Sequence, residues 1–359
     1  PADLEASLPV FDPSKAVATR SASGIVLNAL AKRLPQLVGG SADLAPSNMT
    51  WLKDMGEIKP GDFAGRNFHF GVRELAMAAV MNGVQVHGGF RIFGGTFFVF
   101  SDYCRPAMRL AALMGLPVIY VYTHDSFYVG EDGPTDEPVE QIAALRTMPN
   151  VTVIRPADPT KTGAAWIAAL KNRRGPTALL LTRHNMQVID RSLYPAASNL
   201  EKGAYTLWQS GTGTPELTII ATGSEVEIAL AAANRVPTPF TADPFNPGNP
   251  ELTIVLLPGD PQRNAAKVLD QCQPQHGRDR PQLAQRQRRH RLVGGDEAPQ
   301  AFDVDPAVAV RDRVERDVVH ARQLVGGAAT QARQLAAVTL GQVAPRDAHL
   351  FLDQVQVVE

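Results

Sequence analysis

Residues 116–141 read LPVIYVYTHDSFYVGEDGPTDEPVEQ, and this stretch decides the fold. Its first part, LPVIYVYT, is a short apolar run rich in β-branched and aromatic residues, which is typical of a strand buried on both faces of a parallel sheet. Its second part holds one histidine, six carboxylates, two glycines and two prolines, and is typical of a loop. Because ligands bind beyond the carboxyl ends of strands in open parallel sheets, this loop is also a candidate site.

The segments on either side alternate between short apolar runs and longer runs with a helical period. This alternation predicts an α/β domain whose mostly parallel sheet is flanked by helices. The predicted strands are residues 36–40, 66–70, 90–95, 116–123, 151–156 and 177–183. The predicted helices are residues 16–35, 74–84, 100–115, 139–147 and 159–172.

The chain divides into three parts. Residues 12–190 form the first α/β domain, and residues 200–234 form a partial second α/β domain with two strands and a helix. Residues 235–359 are unassigned, because serine, methionine and tyrosine are absent from them while Arg, Gln, Asp, Val, Ala and Pro dominate. This bias indicates an irregular tail that is either disordered or derived from a frame-shifted or fused coding unit. Within it, only residues 307–325 have the period of an amphipathic helix.

The composition excludes several classes of protein. The chain has 359 residues, of which 44% are hydrophobic and 20% charged, and its formal net charge is -1, so neither nucleic acid nor an anionic membrane is an expected partner. No apolar run approaches the roughly 20 residues of a membrane-spanning helix, and the first residues lack the order of a signal peptide. Two cysteines, Cys104 and Cys272, exclude a disulfide framework and a four-cysteine zinc site. We therefore expect a cytoplasmic protein with no metal site of its own.

Polar side chains follow several predicted strands at the carboxyl edge of the sheet, where a ligand would bind. They are Asp43, Ser47, Arg73, Glu74, His124 and Arg183. Each has an ordinary explanation, such as a first-turn glutamate that complements a helix dipole or the partner of an ion pair. Together, however, Arg20, Ser47, His124 and Arg183 have the chemistry of a phosphate clamp. Glu74 is also a candidate carboxyl that shares a proton with a buried ligand nitrogen.

Aromatic residues follow two glycines in GGTFFVFSDY, residues 94–103. Phe97, Phe98, Phe100 and Tyr103 at this spacing are more often part of a core than of a ligand site. The alternative is a platform for a flat ligand, which a Gly-Gly turn would let the backbone approach closely. In the acidic loop, GEDGPT lacks the alternating ligand positions of an EF-hand, so a calcium site is not expected.

Seven motifs resemble the pyrimidine-binding domain of transketolases, in order and in spacing. They are ATRSASGIVLNAL (18–30), GGSADLAPSN (39–48), HFGVRELAM (69–77), GGTFFVFSDYCRPAMRLAAL (94–113), HDSFYVGEDGPTDEPVEQIAALR (124–146), IRPAD (154–158) and TRHN (182–185). A further motif, ATGSEVEIALAAA (221–233), resembles the start of the family's C-terminal domain. The resemblance covers roughly residues 12–234. It implies a thiamine-diphosphate-binding α/β fold and the transfer of a two-carbon ketol unit from a ketose phosphate to an aldose phosphate.

The resemblance also implies residue roles for the cofactor. Glu74 is similar in position to the family glutamate that hydrogen-bonds a ring nitrogen of the aminopyrimidine. Phe97, Phe100 and Tyr103 match positions that pack around the same ring, and Asp43 lies where the family contacts the cofactor site.

For the substrate, the resemblance implies a second set of residues. Arg20, Ser47, His124 and Arg183 match positions that bind sugar phosphates. Asp132 matches the carboxylate that contacts a substrate hydroxyl near the reacting carbon. Glu74 and His124 are the candidate catalytic residues, and the remaining acids of the loop are expected to begin the next helix.

The sequence departs from the family pattern in two ways besides its unfamiliar tail. Asp136 and Leu75 stand where the family usually has histidines. The family's GDG motif with its later asparagine, which binds magnesium and diphosphate, is not found in the sequence. We therefore expect magnesium to be bound by another domain, contributed within a homodimer or by a partner chain, and the chain alone to be inactive. The alternatives are a catalytically silent fragment or partner-binding module, and another thiamine enzyme such as a deoxyxylulose-phosphate synthase.

Overall fold

The computed structural model describes residues 3–129, 132–210 and 217–233, together with the backbone of two further strands at residues 252–256 and 356–358. The first unit contains a six-stranded, entirely parallel sheet with strand order β3-β2-β4-β5-β7-β6 and, beside it, a small antiparallel pair, β1 and β8. The strands are β1 (Ala16–Ala18), β2 (Leu37–Ser41), β3 (Asn67–His69), β4 (Arg91–Phe97), β5 (Ile119–Thr123), β6 (Thr152–Ile154), β7 (Thr177–Leu181) and β8 (Asn185–Gln187). The mostly parallel sheet expected from the sequence is confirmed.

Helices cover both faces of this sheet. They are α1 (Thr19–Arg33), α2 (Ala45–Asn48), α3 (Glu74–His87), α4 (Ser101–Met114), α5 (Gln141–Arg146) and α6 (Pro159–Lys171), with short 3-10 helices at Leu4–Ser7 and Ala197–Lys202. Along β5, Tyr120 and Tyr122 face the core that contains α3 and α4, whereas Ile119 and Val121 face the core that contains α1 and α6. This alternation explains why the strand is apolar at nearly every position: both of its faces are buried.

The order of the strands reverses between β2 and β4. The chain leaves β2 for β3 on one side and leaves β4 for β5 on the other, while β2 and β4 pair directly with each other. Connections that depart in opposite directions open a crevice at the carboxyl ends of the two central strands. The loops after β2, β4 and β5 border this crevice.

Three local expectations are wrong in detail. The predicted helix 16–35 begins with β1, which pairs with β8, and becomes helical only at Thr19. Gly94 and Gly95 do not form the turn considered for them but lie inside β4, within the predicted strand 90–95. A Cβ on Gly94 would come within 2.3 Å of the Met81 sulfur, so glycine at this position leaves room for helix α3. Helix α5 begins at Gln141, beyond the acids of the loop, so its first turn carries no carboxylate.

The second unit contains a four-stranded sheet with strand order β12-β10-β11-β9. Its elements are β9 (Tyr205–Gln209), β10 (Leu217–Ala221), α7 (Glu225–Ala233), β11 (Leu252–Leu256) and β12 (Gln356–Val358). The two strands and the helix expected before residue 234 are present. Strands β11 and β12 belong to the segment 235–359, where no strand was expected; the rest of that segment, including residues 307–325, lies outside the described residues.

Within the described part of the chain, no helix combines the length and the apolar character needed to cross a membrane.

Candidate functional site

The loop after β2 begins the site. Ala42 donates its backbone N–H to the carbonyl of Gly95, which fastens the loop to β4, and the short helix α2 then delivers Ser47 and Asn48. Asp43 has a left-handed backbone (φ 63) and an exposed side chain at the mouth of the crevice. The structure therefore places Asp43 and Ser47 at the edge where the sequence predicted them.

A buried polar chain connects this loop to His124. Ser41 Oγ donates to Asn48 Oδ1 (2.6 Å), and Asn48 Nδ2 donates to Thr123 Oγ1 (2.6 Å). Thr123 Oγ1 lies 2.9 Å from Nδ1 of His124, whose backbone is also left-handed (φ 60). Sequence reasoning missed Asn48 and Thr123, although each ends a segment that it had identified.

This series of hydrogen bonds indicates which ring nitrogen of His124 carries the proton. Because Thr123 Oγ1 accepts a hydrogen from Asn48, its own hydroxyl hydrogen is available for Nδ1 of His124. Nε2 then bears the hydrogen and lies 3.4 Å from the carboxylate of Asp132, an acceptor. Burial first, and then the positive charges of Arg20 and Arg183, lower the pKa of His124 to about 3. His124 is thus a neutral imidazole at pH 7, and its contact with Asp132 Oδ2 is not a hydrogen bond.

The two arginines of the predicted phosphate clamp, Arg20 and Arg183, lie near His124. Arg183 Nε lies 3.1 Å from Asp132 Oδ2, and Arg20 Nη1 donates to the carbonyl oxygen of Ser47 at 3.1 Å. Burial lowers the pKa of Arg20, the positive charge of Arg183 lowers it as well, and Asp132 acts in the opposite direction. Arg183 and Asp132 both act electrostatically on Arg20, so the three charged groups belong to one cluster; Asp132 was not among the residues predicted for the clamp.

A row of aromatic rings extends from His124 along the carboxyl end of β4. The ring centroids of Phe97 and His124 lie 3.7 Å apart. Phe100 stacks on Phe97 with a centroid distance of 5.9 Å, and Tyr103 stacks on Phe100 with a centroid distance of 6.0 Å. Tyr103 ends the row with a side chain that is 62% exposed. Phe98, by contrast, is fully buried in the core, so the aromatic stretch divides between the two interpretations that the sequence left open.

Glu74 lies beside this row, at the first position of α3. Its Oε1 accepts a hydrogen bond from Thr96 Oγ1 (3.1 Å), and its backbone oxygen lies 3.7 Å from the sulfur of Cys104. The side chain is buried, with 7% exposure. Within the described residues, Oε2 has no hydrogen-bond partner, so it is available to a ligand.

These residues fit an aminopyrimidine ring. A buried carboxylate with one uncommitted oxygen suits a ring nitrogen that carries or accepts a proton, and stacked aromatic side chains suit the faces and edges of a flat heterocycle. Glu74, Phe97, Phe100 and Tyr103 supply both parts. Within the described residues, no group of three histidine, cysteine, aspartate or glutamate side chains has the arrangement of a metal site.

The two departures from the family pattern lie on either side of this site. Asp136 is half-buried in the loop after β5, where its N–H donates to the carbonyl of Gly133. Leu75 is half-exposed on α3, next to Glu74. Neither residue replaces the hydrogen-bonding capacity of a histidine side chain, because leucine has none and an ionised aspartate only accepts.

A buried ion cluster joins the site loop to the second unit, and sequence reasoning missed it. Arg155, which is 1% exposed, contacts Asp125 Oδ2 (2.6 Å), Ser224 Oγ (3.0 Å) and the carboxylate of Glu225. The two carboxylates raise the pKa of Arg155, although burial acts against them. Asp125 directly follows His124, so the cluster anchors the turn that presents the imidazole. Its members lie in three of the motifs that carry the resemblance, IRPAD, HDSFYV and ATGSEVE, but the motifs gave no sign that these residues touch.

Comparison with known proteins agrees with this geometry. Residues 15–188 match the family model described as transketolase, pyrimidine binding domain. The transketolase of Bacillus subtilis (strain 168) is 56% identical over 232 residues, which are 65% of this chain and 35% of that protein. The transketolase of Geobacillus stearothermophilus is 57% identical over the same length and with the same coverage. The chain thus spans about a third of the length of these curated relatives.

Solved structures show the same relationship. A transketolase of Pichia stipitis, crystallised with sedoheptulose 7-phosphate, has a TM-score of 0.65 and 37% identity, and the match covers 77% of this chain and 39% of that one. A split-gene transketolase, described as an inactive β4 tetramer, shares the fold with a TM-score of 0.53 at 24% identity, over 71% of this chain and 77% of that one. Residues 15–188 of this chain thus form a domain that matches the pyrimidine-binding domain of transketolases.

Proposed function

We propose that this chain supplies the pyrimidine-binding half of a cytoplasmic transketolase site that uses thiamine diphosphate to move a two-carbon ketol unit from a ketose phosphate to an aldose phosphate. One observation carries the proposal. Glu74 contacts Thr96, whose chain neighbour Phe97 lies in the aromatic row. Phe97 contacts His124, and Asp132 then links His124 to Arg183. A cofactor ring at one end and a phosphorylated sugar at the other would occupy a single crevice.

At the cofactor end, the chain positions a ring and controls a proton. Thr96 orients the carboxyl of Glu74, whose free oxygen would hold a proton at a nitrogen of the aminopyrimidine. Phe97, Phe100 and Tyr103 would exclude water from the ring. When bound, thiamine diphosphate supplies the electron sink for breaking and forming the carbon–carbon bond.

At the substrate end, charge and hydrogen bonding are divided between residues. Arg20 and Arg183 would provide the positive charge that attracts a phosphate group. His124 contributes a neutral N–H donor, since its pKa is lowered to about 3. Ser47 contacts Arg20 through its carbonyl oxygen, and Asp132 would accept a hydrogen bond from a sugar hydroxyl.

The proposal requires a second domain that binds magnesium and diphosphate, either in a homodimer or on a partner chain. Helix α3 offers a surface for such a domain. Its outward side chains are apolar, which is unusual for a helix that faces water. They include Leu75, Ala76, Ala79, Val80 and Val86. A split-gene transketolase shares this fold.

The test is calorimetric titration of thiamine diphosphate with magnesium, using the chain alone and then mixed with a separately expressed diphosphate-binding domain of a related transketolase. We expect binding only in the mixture. Glu74→Ala should abolish it, because the ring nitrogen loses its carboxyl partner. Glu57→Ala, which removes an exposed acid paired with Lys59, should leave it unchanged.

The alternatives predict different outcomes. If the mixture associates but binds no cofactor, the chain is a partner-binding module, for which the apolar face of α3 is the supporting observation. If the mixture binds cofactor but transfers no ketol unit between sugar phosphates, another thiamine diphosphate reaction, such as that of a deoxyxylulose-phosphate synthase, becomes the better proposal.

A further inference from the structure

We propose that Asp132 is an internal competitor of the substrate phosphate: its carboxylate occupies the anion clamp when the clamp is empty and thereby sets how strongly the clamp binds phosphate. This inference rests on the proposed function, since it assumes that Arg20, His124 and Arg183 bind a phosphate group. It adds a role in anion selection to a residue whose expected partner was a sugar hydroxyl.

The geometry places the carboxylate among the clamp's own donors. A single oxygen, Asp132 Oδ2, lies 3.1 Å from Arg183 Nε and 3.4 Å from His124 Nε2. These are electrostatic contacts and not hydrogen bonds, since Oδ2 is buried and has no hydrogen-bond partner within the described residues. A phosphate oxygen would have to take the same place between the two donors, and the Asp132 side chain, about a quarter exposed, borders the crevice from which it would enter.

The charges favour competition over cooperation. With His124 neutral, the clamp holds two positive arginines and one negative carboxylate. A phosphate group carries a charge between about −1.5 and −2 at pH 7. Two anions that share the same donors repel each other, and juxtaposed like charges are costly in a partly desolvated site. Phosphate must therefore displace Asp132 from Arg183 and His124.

Removing the charge while keeping the shape should raise affinity. Asparagine has nearly the same volume as aspartate and can accept a hydrogen bond from Arg183, but it carries no charge. A neutral solute gains nothing from the change, whereas phosphate no longer has to expel an anion. Asp132 would thus lower the affinity for free phosphate and favour ligands that also bind elsewhere in the crevice.

The experiment measures binding of inorganic phosphate to the full chain by phosphorus NMR titration. We expect Asp132→Asn to tighten the dissociation constant at least tenfold, and Asp132→Ala to change it in the same direction. The matched control is Glu137→Gln, a half-buried carboxylate of the same loop that makes no ion pair with the clamp in the described structure. It should bind phosphate as the unaltered chain does.

A further variant, Arg183→Met, separates the possible failures. If Arg183→Met weakens phosphate binding but Asp132→Asn leaves it equal or weaker, the clamp exists and the inference about Asp132 is wrong. If neither the unaltered chain nor Asp132→Asn shows binding that depends on Arg183, the clamp itself is refuted, and the substrate part of the proposed function fails with it.

Discussion

Lysine 161 should make the chain less stable at neutral pH than a variant that lacks its charge. Lys161 lies on α6 with 1% exposure, and its ammonium sits 4.9 Å from the centre of the Tyr205 ring. Burial lowers its pKa to about 7, while Asp158 acts in the opposite direction and Arg191 assists burial. Asp158 is already paired with Arg191 at 2.5 Å, so removing the ammonium would leave no carboxylate unpaired.

The sign and size of the effect follow from proton linkage. Between pH 7 and 10.5, the unfolded chain keeps the proton on Lys161 and the folded chain releases it. The free energy of unfolding therefore rises with pH across this window and falls as pH drops towards 7. Each pH unit contributes at most about 1.36 kcal/mol, so the full window contributes no more than about 5 kcal/mol. The loss of the contact with the Tyr205 ring and relaxation around the charge reduce the expected net gain to about 2 kcal/mol.

The assay is urea denaturation of the unaltered chain and Lys161→Met at several pH values from 6.5 to 9.5. We expect the variant to be more stable by about 2 kcal/mol at pH 6.5, with the difference shrinking steadily as pH rises. Lys171→Met is the control, because Lys171 ends the same helix but is exposed and paired with Glu5 and Glu201. Those pairs raise its pKa, so its contribution persists throughout this range. A Lys161→Met variant that is less stable at pH 6.5, or a difference that ignores pH, would refute the reasoning.

Three further predictions test the packing, the polar hydrogen-bond chain and the buried ion cluster. Gly40→Ala should lower the free energy of unfolding in urea by at least about 3 kcal/mol, since its Cβ would lie 1.9 Å from a backbone oxygen of β3. Gly83→Ala, whose Cβ would meet no atom within 4 Å, should raise it by about 0.5–1 kcal/mol. Equal effects of the two variants would contradict this account. Nitrogen NMR of His124 should show a hydrogen on Nε2 at pH 7, and Thr123→Val should mix the two tautomers; a hydrogen on Nδ1 in the unaltered chain would overturn the assignment. Arg155→Met should lose about 3–5 kcal/mol in urea denaturation, because two buried carboxylates lose their cation. A loss of less than about 1 kcal/mol would count against this cluster.

Much of the site was recoverable from the sequence because a parallel sheet sends every strand's carboxyl end to one edge. The apolar runs located the strands, so the residues that follow them, such as Glu74, His124 and Arg183, were assigned to that edge correctly. The periodicity was wrong about where some elements begin and which segments pair. Ala16–Ala18 pairs with β8, far along the chain, instead of beginning a helix, and helix α5 begins only at Gln141, beyond the acids of the loop.

Apolar periodicity and motif order are properties of a linear chain, so they were enough to predict the fold class, the sheet edge of the candidate site and the resemblance to transketolases. Which side chains touch depends on the folded chain. The link from Asn48 to Thr123 spans 75 positions, and the contact between Arg155 and Glu225 spans 70, so neither leaves a local pattern in the chain. The hydrogen bond between Thr123 and His124 (2.9 Å) and the ion pair between Asp132 and Arg183 (3.1 Å) depend on interatomic distances. The packing of separate strands and loops sets these distances.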